Sequence, residues 1–172
     1  MELEHFIRNI PDFPKPGIQF KDITPLLKEP AAFKDAIETI SDYATSLSID
    51  AIVGIEARGF LIAAPLAYRL GKPLIPVRKE GKLPYQTTSV TYDLEYGSDT
   101  VEMHKDAIEG KQRVLIVDDL LATGGTMAAT ARLIENSGAH VAALVVLIEL
   151  SGLNGRALLS SYNVHSLMQL SE

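Results

Sequence analysis

The stretch VLIVDDLLATGGTMAATARLIE, Val114–Glu135, places an apolar run, two adjacent aspartates and a Thr-Gly-Gly-Thr turn in immediate succession. The run RVLIVDD reads as a buried strand, and the apolar spacing after Gly125 predicts a helix reaching about Asn136. Asp118 and Asp119 then fall at the strand's carboxyl end, with Thr123, Gly124, Gly125 and Thr126 turning into the helix. Glycines let backbone amides approach an anion, and the unpaired N–H groups of a helix start carry partial positive charge. A phosphate fits such a turn. Two carboxylates would repel that phosphate, so Asp118 and Asp119 suit neutral hydroxyls or a magnesium ion. The combined ligand is a phosphorylated sugar.

Outward from this stretch the pattern repeats. DAIVGIE reads as a buried strand, RGFLIAAPLAYRLG as a helix closed by Gly71, PLIPVR as a strand, and HVAALVVLIEL and NVHSLMQL as two more. From Pro30, the positions Phe33, Ala36, Ile37, Ile40, Tyr43, Ala44 and Leu47 follow a helical stripe. At the start of the chain Leu3, Phe6, Ile7 and Ile10 also have helical spacing, and PDFPKPG ends that predicted helix. SVTYDLEYGSDTVEMH differs, since its two alternating runs flank Gly97, Ser98 and Asp99 as in an antiparallel hairpin. The alternation predicts an α/β fold with a mostly parallel sheet covered by helices on both faces. Such sheets bind ligands at the carboxyl ends of their strands.

Composition narrows the function. A chain of 172 residues with 47% hydrophobic content has the size and core of one domain. Its net charge of -6 argues against coating nucleic acid, so an anionic ligand must be held by local groups. Without cysteine there is no disulfide, thiol nucleophile or Cys-ligated zinc. The opening MELEHFIRNI is acidic where a signal peptide is basic, and no apolar run reaches membrane-spanning length, which predicts a cytoplasmic protein without membrane contact. The Gly-Lys pairs are followed by Pro73, Leu83 and Gln112 rather than Ser or Thr, and G-x-G-x-x-G is missing, so nucleotide-triphosphatase and dinucleotide readings drop out. His5, His104, His140 and His165 lie apart, without metal-ligand spacing.

The segment VLIVDDLLATGGT resembles the phosphoribosyl-pyrophosphate motif of the type I phosphoribosyltransferases. Five further segments, PDFPKPGIQFKDITPLL, GIEARGF, VRKEGKLP, LEYGSD and LIELSGLNGR, are similar in the same order to those of the adenine phosphoribosyltransferases within that superfamily. The resemblance implies transfer of a 5-phosphoribosyl group from 5-phosphoribosyl 1-pyrophosphate to adenine, giving AMP and pyrophosphate, with Mg2+ and in a homodimer. It also implies one domain over residues 1–172. Residues 1–29 would form a small hood with an N-terminal helix, and residues 30–172 a core of about five parallel strands with a mobile hairpin loop near 79–100.

Site roles follow from the same resemblance. Asp118 and Asp119 would hold the ribose hydroxyls, directly or through magnesium, and the turn from Ala122 through Thr123, Gly124 and Gly125 to Thr126 the 5-phosphate. Ala57, Arg58 and Gly59 would meet the pyrophosphate, with Arg78, Lys79 and Lys82 adding positive charge from the same chain or across a dimer interface. Backbone groups of Gln19 to Lys21 would read the adenine edge, and Phe20 and Leu120 would sandwich the ring. Gln19 stands where some relatives carry an aliphatic residue. Ala122 replaces an acid typical of 6-oxopurine enzymes, which favours adenine. Glu95 is similar to the acid that handles a purine N7 proton, and Tyr96 would close over the site. Two other readings use the same motif: a phosphoribosyl-pyrophosphate-sensing RNA-binding regulator, and a transferase for another base.

Overall fold

The computed structural model describes every residue except Glu95 and Glu172. Two short strands, β1 (Arg8–Ile10) and β2 (Phe20–Asp22), pair antiparallel ahead of helices α1 (Thr24–Lys28) and α2 (Pro30–Thr45). Then follow β3 (Ala51–Ile55), α3 (Arg58–Leu70), β4 (Leu74–Lys79), the hairpin β5 (Thr87–Asp93) and β6 (Ser98–His104), β7 (Arg113–Leu121), α4 (Gly125–Asn136), β8 (His140–Leu150) and β9 (Val164–Leu170). The larger sheet has the order β5-β6-β4-β3-β7-β8-β9. Its five strands from β4 to β9 are parallel, and β6 runs antiparallel to both β4 and β5.

Burial on both faces explains the near-continuous apolar runs. Successive side chains of a strand point to opposite faces, and in β7 Leu115 and Val117 join the core beneath α2 and α3 while Val114 and Ile116 join the core beneath α4. Ile37, Ile40, Ile62 and Leu66 fill the first core, and Met127, Leu133 and Ile134 the second. Helices therefore cover both faces, as the alternation predicts.

Two local expectations change. The predicted N-terminal helix is only a 3-10 turn, Leu3–Phe6, and residues 8–10 extend to pair with residues 20–22. Pro11 disfavours helical backbone at Ile10, so the helical spacing of Ile7 and Ile10 gives way to a strand pairing. In the hairpin, Ser98 and Asp99 belong to β6, with Asp93 opposite Ser98, and the Leu94 N–H donates to the Gly97 carbonyl across the turn. Among the described residues no helix is long and apolar enough to cross a membrane.

Candidate active site

Parallel pairing of β3 with β7 sets Gly54 opposite Val117, so Glu56–Gly59 and Asp118–Asp119 emerge side by side at the same sheet edge. Gly59, at the start of α3, lies against Asp118: a Cβ there would stand 2.8 Å from Asp118 Oδ1 and 3.1 Å from the Val117 carbonyl oxygen. Only glycine permits that approach. The Glu56–Ala57 peptide ahead of it is cis. Beyond β7, Gly124 has φ 86° and caps α4, a left-handed conformation that disfavours other residues. These segments line one cleft of about 320 Å³, which takes in Ala57, Arg58, Lys79, both aspartates and residues 120–127.

Charges in the cleft are locally opposed. Arg58 Nε is 2.8 Å from Asp119 Oδ2, an ion pair whose angle falls outside hydrogen-bond geometry and leaves that buried oxygen without a donor. Burial, then the charge of Asp119, pushes the Asp118 carboxyl well above its ordinary pKa. Burial also raises that of Asp119, with Arg58 opposing. Asp118 Oδ1 accepts the Asp119 N–H at 2.8 Å. Desolvation and like charge both disfavour two adjacent carboxylates, so the pair is set to receive donors or a cation.

Arg58 also joins the small sheet to the cleft. Its Nη1 donates to the Lys21 carbonyl at 3.0 Å, and its guanidinium lies 4.7 Å from the centre of the Phe20 ring. Phe13 packs edge-on to Phe20, with ring centres 5.1 Å apart. The Lys21 ammonium is turned to Asn9 at 2.9 Å and its side chain is buried, while Gln19 is exposed. The cleft lining includes Leu120 but not Phe20.

The other predicted cations are held by carboxylates. Arg78 Nε and Lys82 Nζ contact Glu56 at 2.6 and 2.9 Å, and Glu56 also accepts the Lys79 N–H at 3.0 Å. Burial works to raise the Glu56 pKa, but these three donors outweigh it and hold it below the ordinary value. Lys79 lines the cleft and pairs with Asp99. Neither Arg78 nor Lys82 belongs to the lining. Tyr96 is exposed, and Glu95 lies outside the described residues.

Four further residues complete the surroundings: Glu56, Tyr92, Asp99 and Gly155. Gly155 begins a 3-10 turn, Gly155–Leu159, that packs against the backbone of Ala122 and Gly124. A Cβ on Gly155 would stand 2.2 Å from the Ala122 carbonyl oxygen, and one on Gly124 would stand 2.6 Å from the Gly155 carbonyl oxygen. Arg156 fixes this support through paired contacts to Glu149 at 2.6 and 2.7 Å and a bond to the Val164 carbonyl at 2.9 Å. Glu56 precedes the Ala-Arg-Gly turn, so a buried acid there was a readable signal. The roles of the other three depend on contacts between distant segments.

Comparison with known proteins agrees with this arrangement. Residues 22–165 match the phosphoribosyl transferase domain family. An adenine phosphoribosyltransferase of Roseiflexus castenholzii is 55% identical over 169 residues, covering 98% of both chains. The crystal structure of adenine phosphoribosyltransferase from Thermoanaerobacter pseudethanolicus superposes with a TM-score of 0.96 at 53% identity, again over 98% of each chain. The Saccharomyces cerevisiae enzyme, solved with an imino-altritol bisphosphate and adenine, gives 0.90 at 41% identity over 97% of each. The chain belongs to the adenine phosphoribosyltransferase family of the phosphoribosyltransferases.

Proposed function

We propose that the chain transfers the 5-phosphoribosyl group of 5-phosphoribosyl 1-pyrophosphate to adenine, forming AMP and pyrophosphate. The observation that carries this reading is the convergence of three elements in one cleft: the Gly124 turn, the Asp118–Asp119 pair and the Ala57–Gly59 turn. On this reading the turn 122–126 receives the 5-phosphate on backbone N–H groups, and the aspartates accept the ribose hydroxyls. Arg58 faces the pyrophosphate, where negative charge grows as the bond to ribose C1 breaks. Preorganised positive charge at such a position lowers the barrier without a covalent nucleophile.

Magnesium fits the donor set at one point. Hard carboxylate oxygens suit this cation, and Asp118 adjoins the buried Asp119 Oδ2, which has no hydrogen-bond donor but is ion-paired with Arg58, so a cation there would share that oxygen with the guanidinium or displace it. No cluster of three or more metal-ligating side chains occurs among the described residues, so the ion would be held largely by the substrate. Its chemistry there is neutralisation of pyrophosphate charge. On the same reading Glu95 exchanges the purine N7 proton, and Tyr96 covers the site.

Residues 1–29 serve as the hood, over a core formed by the rest of the one domain, and residues near 79–100 as the mobile loop. Two copies associate in the cytoplasm. Exposed Leu61, Tyr68 and Leu74, on α3 and the following strand, support a covered face.

Base selectivity tests the proposal. Adenine presents a donor beside an acceptor, and a carbonyl in place of its amine would set two lone pairs against each other at the hood. Sites built on such bonds discriminate by roughly 10⁴-fold. AMP should form from adenine and the activated ribose with magnesium, while hypoxanthine and guanine should give little product. Comparable specificity constants for adenine and hypoxanthine would refute the recognition scheme.

A further inference from the structure

Tyr92, at the end of β5, is 6% exposed, yet its hydroxyl meets polar groups from three segments. It accepts a bond from Lys79 Nζ at 2.8 Å, lies 2.9 Å from Thr126 Oγ1 with either hydroxyl able to donate, and can donate to Asp99 Oδ2 at 3.3 Å. The ring packs on the first turn of α4, where a Cβ on Gly125 would be 3.5 Å from its Cδ2. A strand of the hairpin thus touches the turn assigned to the 5-phosphate.

Proton accounting gives this contact a direction. A lysine ammonium only donates, so Lys79 occupies a lone pair of the phenolic oxygen and leaves Tyr92 its single proton to place. Asp99 already receives Lys79 and the Thr100 N–H at 2.8 Å. Its separation of 3.3 Å from the phenol also exceeds the usual range for O–H···O bonds, whereas the 2.9 Å to Thr126 falls within it. Of the two acceptors within its reach, Thr126 Oγ1 offers the phenolic proton the shorter bond. With that lone pair engaged, the threonine's own proton is free to point at an anion in the turn. In the reverse arrangement Thr126 would spend its proton on Tyr92 and face a phosphate with lone pairs.

We propose that Tyr92 is a positioning residue that fixes Thr126 as a hydrogen-bond donor to the 5-phosphate, so that the hairpin and the phosphate turn are set together. This rests on the assignment of residues 122–126 to the 5-phosphate. Lys79 is a consistent partner: burial disfavours its charge, but its bonds to Asp99 and Tyr92 prevail and keep its pKa above the ordinary value. The ammonium therefore holds its place as donor.

The test compares binding of AMP, ribose 5-phosphate, adenosine and pyrophosphate by calorimetry to the full chain and to Tyr92→Phe, Thr126→Val and the double variant. Melting curves establish that each is folded, since both changes keep side-chain bulk. Each single variant should bind AMP and ribose 5-phosphate roughly 10-fold more weakly, the scale of one hydrogen bond to a charged group. Adenosine and pyrophosphate should be unaffected, and the double variant should bind no worse than Thr126→Val alone. Wild-type AMP affinity in Tyr92→Phe, or additive losses in the double variant, would overturn the proposal. Equal weakening of pyrophosphate would overturn it too, because Tyr92 would then act through Lys79. Gly124→Ala tests the underlying assignment separately: its Cβ collides with the Gly155 carbonyl and displaces the turn. If that variant keeps full affinity for AMP and ribose 5-phosphate, the 5-phosphate assignment itself fails.

Discussion

Replacing Gly155 by alanine should damage activity from a position outside the cleft lining. The added Cβ would stand 2.2 Å from the Ala122 carbonyl oxygen and 3.0 Å from Leu121 Cδ1. Carbon-to-carbonyl contacts normally begin near 3.3 Å, so the two backbones must separate by about 1 Å. Arg156 resists movement on one side, because its guanidinium is held by both Glu149 oxygens and by the Val164 carbonyl. Ala122 yields instead, and it opens the turn proposed to hold the 5-phosphate. A misplacement of about 1 Å outside the chemistry can reduce turnover by roughly 10²-fold. Overpacking of this kind costs about 1–3 kcal/mol, and each kcal/mol lowers Tm by about 2–4 °C in a chain of this size.

Initial rates of AMP formation, measured well below the melting temperature with the activated ribose varied, would separate the loss of activity from unfolding. Arg156→Lys provides the internal control. A lysine cannot make the bidentate contact, so the supporting turn loosens and can absorb the displacement itself. The double variant should therefore recover part of the activity lost in Gly155→Ala. Activity of Gly155→Ala within twofold of the parent would refute the reasoning, as would a double variant no more active than the single one.

Asp118→Asn should stabilise the free protein while weakening its hold on the activated ribose. A carboxyl whose folded pKa is raised binds more protons in the folded state, so the stability it confers is present below its unfolded value near 3.8 and is lost as pH rises toward the folded value. The gain in Tm should thus be larger at pH 7 than at pH 4, and an equal gain at both would contradict the burial argument. Arg58→Gln should lower turnover by about 10²-fold or more, the scale for one preorganised electrostatic donor. It should also lower Tm, since the Lys21 carbonyl and Asp119 lose their partner; adding Asp119→Asn should restore stability without turnover, and recovery of both would make Arg58 merely structural. Glu95→Gln should slow single-turnover chemistry by roughly 10²- to 10⁴-fold with little change in adenine affinity. An effect confined to the steady-state rate would assign Glu95 to loop closure.

Much of the parallel core was legible because its signals are local. Runs such as Val114–Val117 bury both faces, and the Gly124–Gly125 turn marks where strand passes to helix. The aspartates could be placed at the sheet edge for the same reason. The first ten residues misled because helical spacing is equally satisfied by a 3-10 turn followed by an extended segment, and the choice depends on pairing with residues 20–22. Arg58 was legible as a cleft residue, but its bond to the Lys21 carbonyl spans 37 residues and has no local trace. Tyr92 and Gly155 were illegible for a related reason. An alternating strand identifies Tyr92 as inward-facing without identifying Thr126 opposite it, and Gly155 matters only through a backbone passing behind it.

The pairing of cations with carboxylates explains how an acidic chain can select one polyanion. Arg58 rests beside Asp119, Arg78 and Lys82 on Glu56, and Lys79 on Asp99, so these basic groups around the cleft each have an acidic partner. A ligand that offers only negative charge must displace those carboxylates and leave them facing its own phosphates. On the proposed assignment the activated ribose, with two free hydroxyls alongside its phosphate groups, would donate to Asp118 and Asp119 while its anionic ends engage the turn and Arg58. A nucleic-acid backbone supplies the phosphates, but its 3-hydroxyl is esterified and cannot complete that exchange. On that assignment the same acids that destabilise the free site would favour the activated ribose over the RNA-binding alternative, since the discrimination comes from satisfying both signs of charge at once.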